Sequence, residues 1–427
     1  MRVFKFGGAS IANTALIENT AAIILKHTSD KLLVVVSAMG KTTNALEKVV
    51  DAYYEERTAD ALQLFEQVKQ HHLNQLKFLV TKHWEAAEKS LKDFFTEVEW
   101  LLYDKPVRHY DYYYDQIVCC GELLSSTLLY YHLKESDVSV QFADVRDIIK
   151  TDDNFRDAGI DYEATNKKIA EIITPAFNAA TVVITQGFLG ATDENESTTL
   201  GREGSDFTAA IFANLLNAQD VTIWKDVAAV MNADPKKFLD ATVLPSLSYQ
   251  EVIEMAYYGA QVIHPKTIKP LQNKKIPLFV KSFTAPNLPG TVIASKSAPL
   301  LPPIVVQKEQ QVMMYFTTKD FSFAEEQAAG FLQQLFVNLK IKPNLSQHTA
   351  ISLFCCFDDR ADKIEALALA ADELLDVSLE RNVEILTIRH YTEEAIQLYT
   401  TGKKILLMQK TEETVQMILR PNVEMNN

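Results

Sequence analysis

The sequence predicts an α/β protein: a mainly parallel sheet sandwiched by helices over residues 1–295, followed by a smaller ferredoxin-like α+β region over 303–427. Three observations carry this reading. Short β-rich apolar runs alternate with segments of helical period through the first 290 residues, the pattern of strands and crossover helices in a parallel sheet. Prolines then cluster (Pro286, Pro289, Pro299, Pro302, Pro303) and periodicity stops, which marks a boundary. Beyond it the order strand–helix–strand–helix–strand with short loops is that of a ferredoxin-like unit.

Element by element, "RVFKF" opens as a strand, and "SIANTALIENTAAIILKH" has helical spacing with Ser10 as N-cap. "KLLVVVSA" is a continuous apolar run, expected of a strand covered on both faces. Residues 44–110 are charged and carry Leu, Val and Phe at helical intervals, a helical excursion over the sheet. "CGELLSSTLLYYHLKES" is a further helix; "VSVQFADV", "TVVITQGFLGA", "DVTIWKDV" and "KIPLFVKSF" are further strands. In the second region "QVMMYFTT", "TAISLFCCF" and "VEILTIRH" read as strands, with helices over 323–340 and 360–375 between them. The tail "KKILLMQKTEETVQMILR" adds one or two strands.

Bulk properties narrow the function classes. The balance of 42 basic and 56 acidic residues, −14 overall, argues against nucleic acid as the partner. A chain this acidic must gather its cations locally to bind an anion. No apolar run reaches the roughly 18 residues that span a bilayer, and Lys5, Gly7 and Gly8 interrupt any signal-peptide core, so a cytoplasmic protein is expected. The four cysteines, Cys119–Cys120 and Cys355–Cys356, lack CxxC spacing and read as buried thiols in a reducing compartment.

Glycine is scarce, 13 in 427 residues, and falls mainly in short polar stretches, several just after apolar runs. That placement suits close approach of backbone to a ligand at strand ends. In "KFGGAS" a lysine lies within an apolar strand and two glycines follow at once. An interior ammonium needs an anionic partner, and the amides of Gly7 and Gly8 beside a helix start can hold phosphate oxygens. The commoner nucleotide motifs are missing. "SAMGKTTN" fails as a P-loop because Val35 stands where glycine is required, and GxG occurs nowhere.

Four segments, "KFGGAS", "TTLGREGSDFTAA", "IWKDVAAVMNADPK" and "YYGAQVIHPKTI", stand in an order and spacing that resemble the aspartate kinases of the amino-acid kinase superfamily. The region after the prolines is similar to the ACT regulatory domains those kinases carry. The resemblance implies the amino-acid kinase fold and transfer of the ATP γ-phosphoryl group to the β-carboxylate of L-aspartate, the first step toward lysine, threonine and methionine. Such a carboxylate, with a pKa of about 3.9, is already ionised and needs no general base. Carried over by position, the resemblance makes Lys5 and Asp206 the catalytic pair and Lys5, Gly7, Gly8 and Ser37 the phosphate-binding set. Thr43, Glu122, Arg202 and Ser205 would hold aspartate, Glu122 at the α-ammonium and Arg202 at the α-carboxylate. Lys225, Asp226, Met231, Lys236 and Gln261 fall on the ATP side. Mg²⁺ would arrive with ATP, and no protein ligand is assigned to it.

Several positions depart from the family pattern. Ala9 replaces a threonine, Met231 an aromatic residue, Lys236 an arginine, and Gln261 a residue that is often lysine. Lys225, often threonine, can restore the cation lost at 261. About 125 residues follow the prolines, enough for one ACT unit and a truncated second. Asn344 stands where lysine-sensitive relatives often have an acid, which leaves a lysine or threonine effector unassigned. A homodimer through the ACT regions is expected, with Phe354 partly interfacial. Two alternatives stay open: a kinase for glutamate or N-acetylglutamate, and a non-catalytic amino-acid sensor on the same fold. An N-acetylated substrate has no ammonium for Glu122, and retention of Lys5, Arg202 and Asp206 opposes the sensor.

Overall fold

The computed structural model describes residues 1–296, 300–320, 322–324 and 328–421. Pro299 of the expected boundary, Glu325, Glu326 and Gln327 of the expected helix over 323–340, and the tail from 422 lie outside them. The chain divides into two compact units. The first holds Met1–Val230, Val243–Ile253 and the stretch from Gln261 toward the prolines; the second holds Met231–Thr242, Glu254–Ala260 and the chain beyond the prolines.

The strands of the first unit are β1 (Arg2–Phe6), β2 (Leu32–Val36), β3 (Val140–Phe142), β4 (Val182–Gln186), β5 (Leu189–Ala191), β6 (Ser197–Thr199), β7 (Val221–Lys225), β8 (Ser246–Ser248), β9 (Leu278–Ser282) and β10 (Thr291–Ala294). Eight form one sheet in the order β3-β4-β2-β1-β7-β9-β10-β8, while β5 and β6 make a separate antiparallel pair. Every pairing in the large sheet is parallel except β9 with β10. β1 is thus central, and Lys5 lies level with Val35 on one side and Ile223 on the other. β2 and β4 are buried along their whole length, which suits the unbroken Leu/Val run of β2 and the Val182–Ile184 start of β4.

The excursion resolves into separate helices, Thr42–Tyr54, Thr58–Leu79, Trp84–Tyr103 and Tyr110–Val118. With Thr14–Leu25 and Cys120–Glu135 they enclose the largest hydrophobic core, to which Phe4, Phe6, Val34, Val36 and Ile184 contribute from the sheet. Helix Gly204–Leu215 lies between β1, β2 and β7 on one side and helix Pro265–Lys274 on another, and its run Ala209–Ala213 is buried all round. Its small residues allow close approach of helix to sheet. The expected strand "TVVITQGFLGA" divides into β4 and β5, while β6, β8 and β10, each of only three or four residues, were not anticipated because so few positions hold little alternation.

The second unit is an antiparallel six-stranded sheet built from β11 (Ile304–Thr318), β12 (Leu345–His348), β13 (Ser352–Asp358), β14 (Leu375–Arg389), β15 (Lys403–Lys410) and β16 (Thr414–Pro421). Its order is β12-β13-β11-β14-β16-β15. With helices Ala328–Asn338 and Ala361–Ala371, strands β11 to β14 form a βαββαβ unit of ferredoxin-like order. β11 and β14 are each 15 residues long, more than the period suggested, and a register shift between Lys308 and Gln311 divides them. The far ends of both strands, helix Glu393–Thr400, β15 and β16 extend the sheet with one further helix. β12, "LSQH", is short and polar and was not anticipated. All four cysteines are buried and free.

Candidate active site

Lys5 ends up beside a carboxylate because β1 and helix 204–215 run side by side. Asp206, the third residue of that helix, places Oδ1 2.6 Å from Lys5 Nζ, and both side chains are largely withdrawn from solvent. Lys225, the last residue of β7, brings its Nζ within 4.0 Å of the other carboxylate oxygen and donates to the Val262 carbonyl at 2.6 Å. Burial pushes the Asp206 pKa upward, but the charges of Lys5 and then Lys225 outweigh it and hold the carboxyl below its ordinary value. The Asp206 carboxyl is therefore ionised, and each ammonium, with three donors, keeps capacity to meet an added anion.

Gly7 and Gly8 turn the chain out of β1 into a 3-10 turn over Gly8–Ile11. The turn packs backbone on backbone against the one that leaves β2: the Gly40 N–H donates to the Gly8 carbonyl at 3.0 Å, and Ser37 N–H to Phe6 at 3.1 Å. A Cβ on Gly8 would lie 2.7 Å from the Ala38 carbonyl oxygen, so no larger residue fits. Thr43 sits in the first turn of helix 42–54, immediately after this junction.

Glu122 enters from the first turn of helix 120–135 and is buried. Its Oε1 accepts the Ala38 N–H at 3.1 Å, while its Oε2 has no hydrogen-bond partner. Burial pushes its pKa up to about 8, against the opposing pull of the Ala38 N–H and the Lys5 charge. A buried carboxyl with a vacant oxygen is prepared for a cationic ligand.

The loop into helix 204–215 carries backbone strain. Gly201 has φ +75° and Glu203, a residue with a Cβ, φ +55°. Glu203 is held there by its own Oε2, which accepts the His264 N–H at 2.9 Å. Between them Arg202 is exposed and makes no ion pair or hydrogen bond among the described residues. Ser205 is buried against Gly187 at the end of β4, where an added Cβ would lie 2.5 Å from that of Ser205.

Lys5, Gly7, Gly8, Ser37, Thr43, Glu122, Arg202, Ser205, Asp206, Lys225 and Asp226 thus line one cleft of about 560 Å³, beyond the carboxyl ends of the central strands. Gln261 belongs to the same unit without lining the cleft, and Met231 and Lys236 belong to the second unit. Sequence reasoning missed Tyr114, Arg156, Phe188, Thr199, Trp224 and Phe283 in the lining. It also missed Asp115, buried beneath them, which accepts from Thr199 N–H and Oγ1 and from Arg156 N–H. Burial pushes the Asp115 pKa up to about 6 even with these three donors. The available signal was an acid on the apolar side of "YYYDQIV". Among the described residues no group of three or more His, Cys, Asp or Glu is placed to hold a metal ion, and no helix is long and apolar enough to cross a membrane.

Residues 1–282 match the amino acid kinase family. The chain is 32% identical over 337 residues to the lysine-sensitive aspartokinase 3 of Escherichia coli, covering 78% of this chain and 72% of that protein. It is 33% identical over 305 residues to a chloroplastic bifunctional aspartokinase/homoserine dehydrogenase of Zea mays, covering 69% of this chain. The chain spans about a third of the length of such bifunctional relatives, 32% in that case. The crystal structure of E. coli aspartokinase III in complex with aspartate and ADP superposes with a TM-score of 0.81 at 25% identity, over 98% of this chain and 96% of that one.

Proposed function

The chain belongs to the amino acid kinase family, among its aspartokinases, and on that footing we propose that it transfers the γ-phosphoryl group of ATP to the β-carboxylate of L-aspartate, giving 4-phospho-L-aspartate and ADP. The observation that carries this reading is the Lys5–Asp206 ion pair, set in one cleft with the unpartnered Glu122 Oε2 and the free guanidinium of Arg202. The ammonium and α-carboxylate of an amino acid match the last two groups, leaving its side-chain carboxylate as nucleophile.

In the transfer, a carboxylate oxygen forms a bond to the γ-phosphorus as the bridge from that phosphorus to ADP breaks. Two anions must meet, so the contribution of the protein is positioning and charge. Lys5 bridges phosphate oxygens while Asp206 holds its ammonium in place, and the amides of Gly7 and Gly8 line the phosphate path with Ser37. Thr43 and Ser205 fix the substrate beside Glu122 and Arg202. Lys225 and Asp226 face the nucleotide; Met231, Lys236 and Gln261 are assigned to it by motif. The donor set suits a divalent ion carried on phosphates and water: Asp206, the acid beside Lys5, is already paired. Mg²⁺ bound in that way neutralises phosphate charge during transfer.

We assign residues 1–295 as the catalytic domain and 303–427 as an ACT-type region, one complete unit and a truncated second. Homodimerisation through that region, a cytoplasmic location and an effector such as lysine or threonine are part of the same proposal, the location differing from that of the chloroplastic relatives. The test is a coupled assay of MgATP turnover with L-aspartate, L-glutamate and N-acetyl-L-glutamate, each with and without lysine and threonine. Aspartate-dependent ADP release is expected. Its absence, or preference for the N-acetylated acid, refutes the assignment, because Glu122 is built for a free ammonium.

A further inference from the structure

Arg156 lines the cleft in a conformation that its own chemistry disfavours. Its φ is +70°, the left-handed region that glycine occupies freely and arginine rarely. Such strain persists where surrounding contacts enforce it, and here they are specific. The Arg156 N–H donates to Asp115 Oδ2 at 2.9 Å, and the same buried carboxylate accepts Thr199 N–H at 2.8 Å and Thr199 Oγ1 at 2.7 Å. Ala158 N–H donates to the Thr199 carbonyl at 3.0 Å, and the Arg156 carbonyl would lie 3.3 Å from a Cβ on Gly201. The loop with Arg156 is therefore fastened alongside the loop with Arg202. Its guanidinium lies 4.4 Å from the centre of the Tyr114 ring, also in the cleft wall, and Nη1 donates to Asp111 at 3.0 Å. Stack and ion pair fix the plane of the fork and leave donors to spare.

We propose that Arg156 is a specificity-determining residue for the amino-acid substrate: with Arg202 it forms a two-guanidinium grip on the α-carboxylate. The proposal rests on the kinase reading given above. A doubly held α-carboxylate cannot slide along the cleft. The reach of the side-chain carboxylate toward Lys5 and Asp206 is then set by chain length, and aspartate is selected over its one-carbon-longer homologue. Glycine at 156 removes the cation and relieves the left-handed strain together, so stability and recognition move in opposite directions.

The experiment compares wild type with Arg156→Gly and Arg156→Lys, reading the Kd of L-aspartate and L-glutamate by calorimetry, steady-state kinetics with both, and Tm. In Arg156→Gly, Tm is unchanged or higher. Aspartate Kd and KM rise about ten- to a hundredfold, the loss of one charge-assisted contact, and ATP KM holds. The preference for aspartate over glutamate narrows, and Arg156→Lys falls between. Unchanged aspartate affinity in Arg156→Gly overturns the proposal, as does a fall in Tm with both substrates' KM rising together. A wild type that binds aspartate but releases no ADP refutes the kinase reading alone, since the binding comparison still decides the role of Arg156.

Discussion

The backbone N–H of Ala38 donates to one oxygen of Glu122 at 3.1 Å, and the other oxygen of that buried carboxyl is left without a partner. With its pKa pushed up to about 8, Glu122 is mostly protonated in the empty cleft at neutral pH. A carboxyl whose folded pKa exceeds its unfolded one stabilises fully below the unfolded value, here 4.5, and that contribution is lost as pH rises to about 8. If aspartate docks its α-ammonium on Glu122, as proposed, binding requires the ionised form and releases a proton. We expect release of about one proton per aspartate at pH 7, and an affinity that tightens about tenfold per pH unit until it levels off near pH 8. Calorimetry in buffers of different ionisation enthalpy measures the first. Glu122→Gln abolishes the proton release and flattens the pH dependence of Tm.

Replacement of Lys5 separates catalysis from stability. Lys5→Ala leaves Asp206 buried with only the more distant Lys225, which costs about 3–5 kcal/mol by the general behaviour of broken buried pairs. Turnover falls at least a hundredfold, the scale of a lost charge at the reacting phosphate. In the double variant Lys5→Ala/Asp206→Asn the stability returns in large part and the activity does not. Recovery of activity in that double variant would count against a catalytic Lys5.

Lys225 has two attachments, Asp206 and the Val262 carbonyl. Lys225→Thr frees that carbonyl and removes a cation from the part of the cleft proposed for the nucleotide. ATP KM is expected to rise about tenfold, one charge-assisted interaction, with aspartate KM nearly constant. Equal ATP KM and kcat in the variant would show that Lys225 does not replace the cation missing at Gln261.

The two adjacent glycines differ in tolerance. A Cβ on Gly7 meets nothing nearer than Lys5 Nζ at 3.4 Å, the movable end of a side chain. On Gly8 it meets the Ala38 carbonyl oxygen at 2.7 Å and that of Gly40 at 3.0 Å, both backbone. Gly8→Ala should cost about 1–3 kcal/mol, as overpacking does, and lower kcat by spreading the two turns. Gly7→Ala should melt close to wild type.

Much of the catalytic half was legible because its signals are local. A lysine in an apolar strand with paired glycines at its end, and an Arg–Glu–Gly–Ser–Asp run at a helix start, are each contained within a few consecutive residues. Lys5 and Asp206, 201 positions apart, were joined by resemblance; their ion pair is a fact of packing. Arg156 was invisible for the opposite reason. Nothing in "NFRDAG" announces a left-handed arginine, since that backbone is imposed by Asp115 from a helix some 40 residues earlier. The nucleotide side was the least legible. Met231 and Lys236 were placed by motif, yet the chain leaves the first compact unit at Met231, a division that no composition shift marks. In the second unit the period found β11 and β14 but not their 15-residue length, because a register shift interrupts the alternation, and it missed the short, polar β12.

β1 lies between β2 and β7 in the sheet, and its partner β7 begins at Val221. At about 5–20 residues per second of synthesis, roughly 10 to 40 seconds separate the emergence of the two strands. Until then Phe4 and Phe6 have no Trp224 to stack on, and one edge of β1 stays open to any passing strand. A nascent chain therefore carries Lys5 on an unfinished sheet for most of its manufacture. In pulse-chase work, protease protection of residues 1–40 should appear only after the chain has passed about residue 225 and cleared the ribosome.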